Sequence, residues 1–211
     1  SCAYKYATDN LAEHAEVKIF AIQGNFHELP RYTYLFRSNG DAEHRRRLFC
    51  MFGYTFGNLQ NEIHFVRNSL LGYTPGDFLL LNVTLAVAPA TDPEQIHKTD
   101  SLLSGAIKGV WKKRQDQWLS GPIHRYLKDV KSVEITHHLD TACCTVPGSY
   151  AVELRATVTT HDGQVRRFAM MYVKRYDSRK LVSSLKELEW KSSGVWPYTD
   201  GRRALILARH V

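Results

Sequence analysis

No glycine occurs among the first sixteen residues of this 211-residue chain, and no Gly-x-Gly turn precedes its first apolar strand pattern, residues 17–22. A nucleotide-type cofactor fold normally opens with a strand, a glycine-rich turn, a helix and an acidic residue ending the second strand. Sixteen residues are too few to hold strand, helix and strand. The expectation is therefore that the phosphate-like or carboxylate end of any such cofactor is held differently, or that the chain is a fragment.

Other absences narrow the class. No run of about eighteen apolar residues occurs, which argues against a membrane span, and Ser1, Cys2, Ala3, Tyr4 and Lys5 do not start a signal peptide. A cytoplasmic enzyme or binding domain is expected. Of the four cysteines, Cys2, Cys50, Cys143 and Cys144, none forms a CxxC pair, so reduced thiols are expected, with Cys50 inside a buried strand. His137 and His138 lack a fixed ligand spacing to the Cys143-Cys144 pair, and no metal site is expected; both histidines read as surface or hydrogen-bonded residues. The net charge is +7, but the basic clusters at 45–47, 112–114, 166–167 and 202–203 are scattered and not interleaved with aromatics. That pattern predicts a solvated basic surface rather than a nucleic-acid face.

What is present is an α/β pattern with 44% hydrophobic residues, enough to bury a sizeable core. Leu48 to Phe52 form an unbroken apolar run, as for a strand covered on both faces, and Gly53 and Gly57 then permit tight geometry and close approach. Asn58 is placed to cap a helix over 59–71 that carries Glu62, Phe65, Val66 and Leu70 and ends near Gly72. Thr74, Pro75, Gly76 and Asp77 turn the chain into a second apolar strand from Phe78 to Val83. Strand, helix, strand predicts a parallel sheet, with ligands in the crevice beyond the strands' carboxyl ends, where the 52–58 bend would sit.

The character changes after Pro89. A mixed helical stretch holds Lys108, Trp111 and Trp118, and two alternating runs, 150–158 and 167–173, flank the hairpin signal His161-Asp162-Gly163. Ser178 is placed to cap a helix carrying Leu181, Val182, Leu185 and Leu188, and Asp200-Gly201 separates two closing strands. The pattern predicts a core formed by 1–89 and 177–211 with an inserted α+β substrate subdomain at 90–176. The sheet's exposed edge would allow a homodimer.

Arg46-Arg47-Leu48-Phe49, Gly53, Gly57-Asn58 and Glu62 together resemble the histidine-specific, S-adenosylmethionine-dependent methyltransferases of the ergothioneine-pathway type, whose pattern there is close to RRLFLFLGSTIGN. Gly24, Asn25 and Phe26 resemble that family's Gly-Asp-Phe turn, and the segment from Tyr73 to Leu81 its LxPGDxLLL segment. The resemblance runs over most of the chain and is weak from 90 to 140. It implies a Rossmann-like class I methyltransferase sheet, without the N-terminal strand-helix-strand unit, and S-adenosylmethionine as cofactor. It also implies that Gly24, Asn25, Phe26, Gly53 and Tyr54 contact the cofactor and that Asn58 holds an amino-acid-like substrate. Near 173–175 the family carries a Glu-x-Ser pair that grips imidazole; Lys174 and Arg175 stand there instead, which points away from histidine. Tyr172, Lys174 and Tyr176 are the further candidates for substrate contact.

The resulting expectation is a methyltransferase, or a fragment of one, acting on an amino-acid-like or other small amine. Direct displacement needs alignment of donor and acceptor, not a dedicated nucleophile, so no catalytic residue is singled out. Glu28, Tyr54, Glu62 and Tyr172 are the polar groups available to orient or accept a proton. The alternative is a catalytically inactive binding domain that keeps the sheet and has lost the donor site.

Overall fold

In the computed structural model, residues 28, 31, 46–53, 55–70 and 73–211 are described, the side chain at 111 excepted. The first sheet has the order β1-β2-β7-β6, built from β1 (Leu48–Met51), β2 (Phe78–Thr84), β6 (Trp190–Pro197) and β7 (Arg203–His210). β1 and β2 are parallel, and β7 lies antiparallel to both of its neighbours, so β6 runs in the direction of β1 and β2. A parallel pair followed by one reversed strand and a last parallel one makes this a mixed sheet in an α/β arrangement.

The pairing follows from side-chain size. Leu79, Leu81 and Val83 of β2 stand opposite Ala208, Ile206 and Ala204 of β7, and all six are buried. The two alanines leave room on that face for α1 (Glu62–Asn68), through Phe65 and Val66, and for α4 (Ser178–Lys186), through Leu181 and Leu185. β1 departs from the two-face expectation. Among the described residues it is an edge strand, so only Phe49 and Met51 turn toward the core while Leu48 and Cys50 are exposed.

Two caps also differ from expectation. Asn61, not Asn58, caps α1, its Oδ1 accepting from the His64 amide at 2.7 Å. The helix therefore starts at Glu62, and Asn58 ends a one-turn 3₁₀ helix, Phe56–Asn58. At α4 the cap is Asp177 rather than Ser178, its carboxylate accepting from the amides of Arg179 and Lys180. A carboxylate there satisfies two otherwise unpaired amides and opposes the positive end of the helix dipole.

Residues 85–176 contain α2 (Pro93–Thr99), α3 (Gly109–Tyr126) and an antiparallel sheet of β3 (Val130–Asp140), β4 (Tyr150–Thr160) and β5 (Val165–Arg175). The β4–β5 hairpin closes where His161-Asp162-Gly163 predicts it, with Gly163 at a φ of 85°. Alternate residues of β4, from Tyr150 through Val158, join Ile96, Leu119 and Ile123 of the helices in a second core. The two sheets meet at one seam, where the Tyr176 amide donates to Thr84 O and Tyr176 O accepts from the Ala86 amide, each at 2.9 Å. Among the described residues no helix is long and apolar enough to cross a membrane.

Candidate functional site

The bend after β1 forms at the carboxyl end of the parallel pair. Gly53 has a φ of 67°, a region that favours glycine, and among the described residues nothing lies within 4 Å of where a Cβ would sit. The Thr55 hydroxyl donates to Phe52 O at 2.8 Å and closes the turn, leaving the Phe52 ring 58% exposed beside it. Phe56 and Gly57 then turn inward, and Asn58 returns to the surface.

Gly57 is there because β5 passes directly behind it. A Cβ at this position would stand 3.3 Å from the Lys174 amide nitrogen and 3.4 Å from its carbonyl oxygen, and both of those atoms are backbone. Gly57→Ala is therefore expected to lower stability by about 1–2 kcal/mol, the usual cost of mild overpacking. Urea unfolding measures this, and a midpoint at or above that of the parent chain would refute the close approach.

Beneath the bend lies a buried charged pair. Lys174 Nζ donates to Glu62 Oε2 and to Gln60 O, the latter at 3.2 Å, and neither charged side chain has any exposed surface. Among the described residues, Glu62 Oε1 has no hydrogen-bond partner. The Tyr176 ring packs 5.6 Å from that of Phe56, and its hydroxyl donates to Phe56 O at 3.5 Å. Burial, and secondarily the nearby Glu62 carboxylate, pushes the Tyr176 phenol well above its ordinary range, so it stays protonated. The Cys143 and Cys144 thiols hydrogen-bond each other near this pair, which lowers the first and raises the second.

The structure therefore divides the residues singled out in the sequence. Gly53 and Asn58 are exposed at the bend, and Tyr172 is half-buried on β5 two positions from Lys174. Lys174 and Tyr176, singled out as candidates for substrate contact, are buried and support the bend from below. Gly24, Asn25, Phe26 and Tyr54 lie outside the described residues. Glu62 was visible as an available acid, but its partner stands 112 positions away, a pairing that no spacing rule detects. Cavities of about 530 and 220 Å³ open past the end of β2. The first is lined by Leu85, Pro89, Gly148 and Asp177, and the second by Asp100, Arg175, Arg202 and Arg203.

At the bend, the Gly53 backbone offers amide and carbonyl groups beside the exposed Phe52.

No protein-family model and no curated protein matches the chain. Among solved structures, one that is similar is the CcbJ methyltransferase from Streptomyces caelestis, at 13% identity over 99% of this chain and 75% of that one, with a TM-score of 0.41. The glycopeptide N-methyltransferase MtfA, complexed with S-adenosyl-L-homocysteine, is similar at 12% identity over 100% and 70% of the two chains, with a TM-score of 0.37. An S-adenosylmethionine-dependent methyltransferase from Clostridium acetobutylicum is similar at 10% identity over 98% and 70%, with a TM-score of 0.35. These likenesses, all below a TM-score of 0.5, establish neither substrate nor activity for this chain.

Proposed function

We propose that the chain has the function of an S-adenosylmethionine-dependent methyltransferase acting on an amino-acid-like or other small amine. The observation that carries this reading is the open Gly53 bend at the carboxyl end of the β1–β2 pair, held from below by Gly57, Tyr176 and the Glu62–Lys174 pair. Rigid support of this kind is what a displacement reaction asks of a protein, because rate depends on holding two reactants in line.

When bound, the donor supplies an electrophilic methyl group. Gly53 would present backbone groups to it and Phe52 an apolar face, while the exposed Asn58 amide would both donate to and accept from the acceptor's polar end. The three-stranded sheet, joined to the bend through Lys174 and Tyr176, would form the acceptor's wall as a substrate subdomain.

Isothermal titration of the full chain with S-adenosylhomocysteine tests the donor half, with micromolar to submillimolar affinity expected. Asn58→Ala should leave that affinity within about twofold and raise KM for the amine. No affinity for donor or product would overturn the reading, whereas binding without transfer to any amine would favour the inactive binding domain.

A further inference from the structure

At the seam between the two sheets, the cavity of about 220 Å³ past the end of β2 is walled by segments far apart in the chain. Thr84 ends β2, Asp100 and Ser101 follow α2, Arg175 ends β5, and Asp200, Arg202 and Arg203 come from the turn into β7. None of them belongs to the 52–58 bend. Ligands of open α/β sheets sit in this direction, outside the carboxyl ends of the strands.

Hydrogen-bonding capacity inside the cavity is unequally spent. Asp100 accepts on both oxygens, Oδ2 from Arg175 Nε and the Tyr150 hydroxyl, and Oδ1 from Arg175 Nη2 and the Leu102 amide. Asp200 likewise accepts on Oδ1 from the Arg202 amide at 2.9 Å and on Oδ2 from Arg203 Nη2 at 3.1 Å. The carboxylates are occupied, but the guanidiniums are not. Arg175, its side chain 6% exposed, has five N–H groups, of which two go to Asp100 and one, on Nη1, to Val173 O at 3.4 Å. One N–H on each terminal nitrogen is left without an acceptor among the described residues, and a buried donor left so is met by water or by a ligand. Arg202 is fixed at the wall by its backbone, whose carbonyl accepts from the Leu85 amide at 2.8 Å, while its guanidinium has no partner among the described residues. Asp100 is set against Arg175 and Asp200 against Arg203, so Arg202 is the cation without a counter-charge among the described lining residues.

We infer that this cavity is a binding site for a small oxyanion, a carboxylate or phosphate group, held between the spare N–H groups of Arg175 and the guanidinium of Arg202. An oxyanion accepts charged hydrogen bonds from both, which matches walls whose donors are left over and whose acceptors are filled. The Thr84 and Ser101 hydroxyls line the same space and supply further donors. An ammonium group would find both carboxylates already engaged and would meet Arg202 as a like charge.

Amide-resolved NMR titration of the full chain with sodium phosphate and with sodium acetate, at an ionic strength held constant by sodium chloride, tests this. The signals of Thr84, Ser101, Arg175 and Arg202 should shift and saturate with at least one of the two anions, and the tighter one tells a phosphate from a carboxylate ligand. Arg202→Gln, at an exposed position, should weaken binding about tenfold, whereas Lys113→Gln on α3, which removes the same charge elsewhere on the surface, should leave it within about twofold. Arg175→Lys keeps a positive charge against Asp100 but loses the guanidinium fork, and should weaken binding at least as much. No saturating shift with either anion, shifts spread over the basic surface, or equal affinity in the Arg202→Gln variant would overturn the assignment. The measurement uses no methyl donor, so its outcome and that of the S-adenosylhomocysteine titration are independent.

Discussion

Replacing Lys174 by methionine is expected to destabilise the chain by about 3–5 kcal/mol, because removing one member of a buried ion pair leaves the other charged with neither water nor a partner. Lys174 and Glu62 are both without exposed surface, so solvent screening offers no relief. For a chain of this size that loss lowers the thermal midpoint by on the order of 10 °C. The double variant Lys174→Met with Glu62→Leu removes both charges, and also the carboxylate oxygen that has no partner among the described residues. It should recover all but about 1–2 kcal/mol, since apolar replacements of buried pairs are often neutral. Thermal and urea unfolding of the three proteins checks both steps. A single variant as stable as the parent, or a double variant worse than the single, would show that the pair is not buried as described. S-adenosylhomocysteine titration of the double variant adds a functional readout. Because Gly57 lies on the Lys174 backbone rather than its side chain, the bend and its affinity should survive once stability is restored.

The features legible in the sequence are those decided locally. The run from Phe78 to Leu81 could only be a covered strand, and His161-Asp162-Gly163 and Asp200-Gly201 supply turn chemistry that needs no knowledge of the rest of the molecule. Gly57 was readable as a close approach, but not what approached it. The helix starts were placed wrongly by one and three residues because Asn58 and Asn61, or Asp177 and Ser178, are equally competent caps, and packing chooses between them. β1 looked covered on both faces because its run is wholly apolar, yet among the described residues it is an edge strand. The site's support was illegible for a different reason. Lys and Arg are ordinarily surface residues, and nothing in the sequence marks the adjacent Lys174 and Arg175 as buried; each is paired with an acid contributed from far away in the chain, Glu62 and Asp100. Only the fold brings these partners together.

Asp100→Asn is expected to cost about 3 kcal/mol at neutral pH, with a pH dependence that identifies the cause. Asp100 is 2% exposed and holds Arg175 through its Nε at 2.8 Å and its Nη2 at 3.4 Å, while accepting from the Tyr150 hydroxyl and the Leu102 amide. An asparagine keeps the shape and one acceptor, so the Arg175 guanidinium is left buried without a counter-charge. Burial by itself would raise the Asp100 carboxyl, but the Arg175 charge and the hydrogen bonds outweigh it and hold the group below its ordinary range. A carboxyl depressed in the folded chain contributes stability that is fully present above its unfolded value of about 3.9 and is lost as pH falls through the folded value. The stability difference between parent and variant should therefore be constant above about pH 5 and shrink steadily below pH 4. Urea midpoints at intervals from pH 3 to 7 measure it. A gap that stays constant down to pH 3 would mean that the asparagine disturbs packing at the seam between the two sheets, and that the Asp100–Arg175 charge pair contributes little to holding β5 against β2.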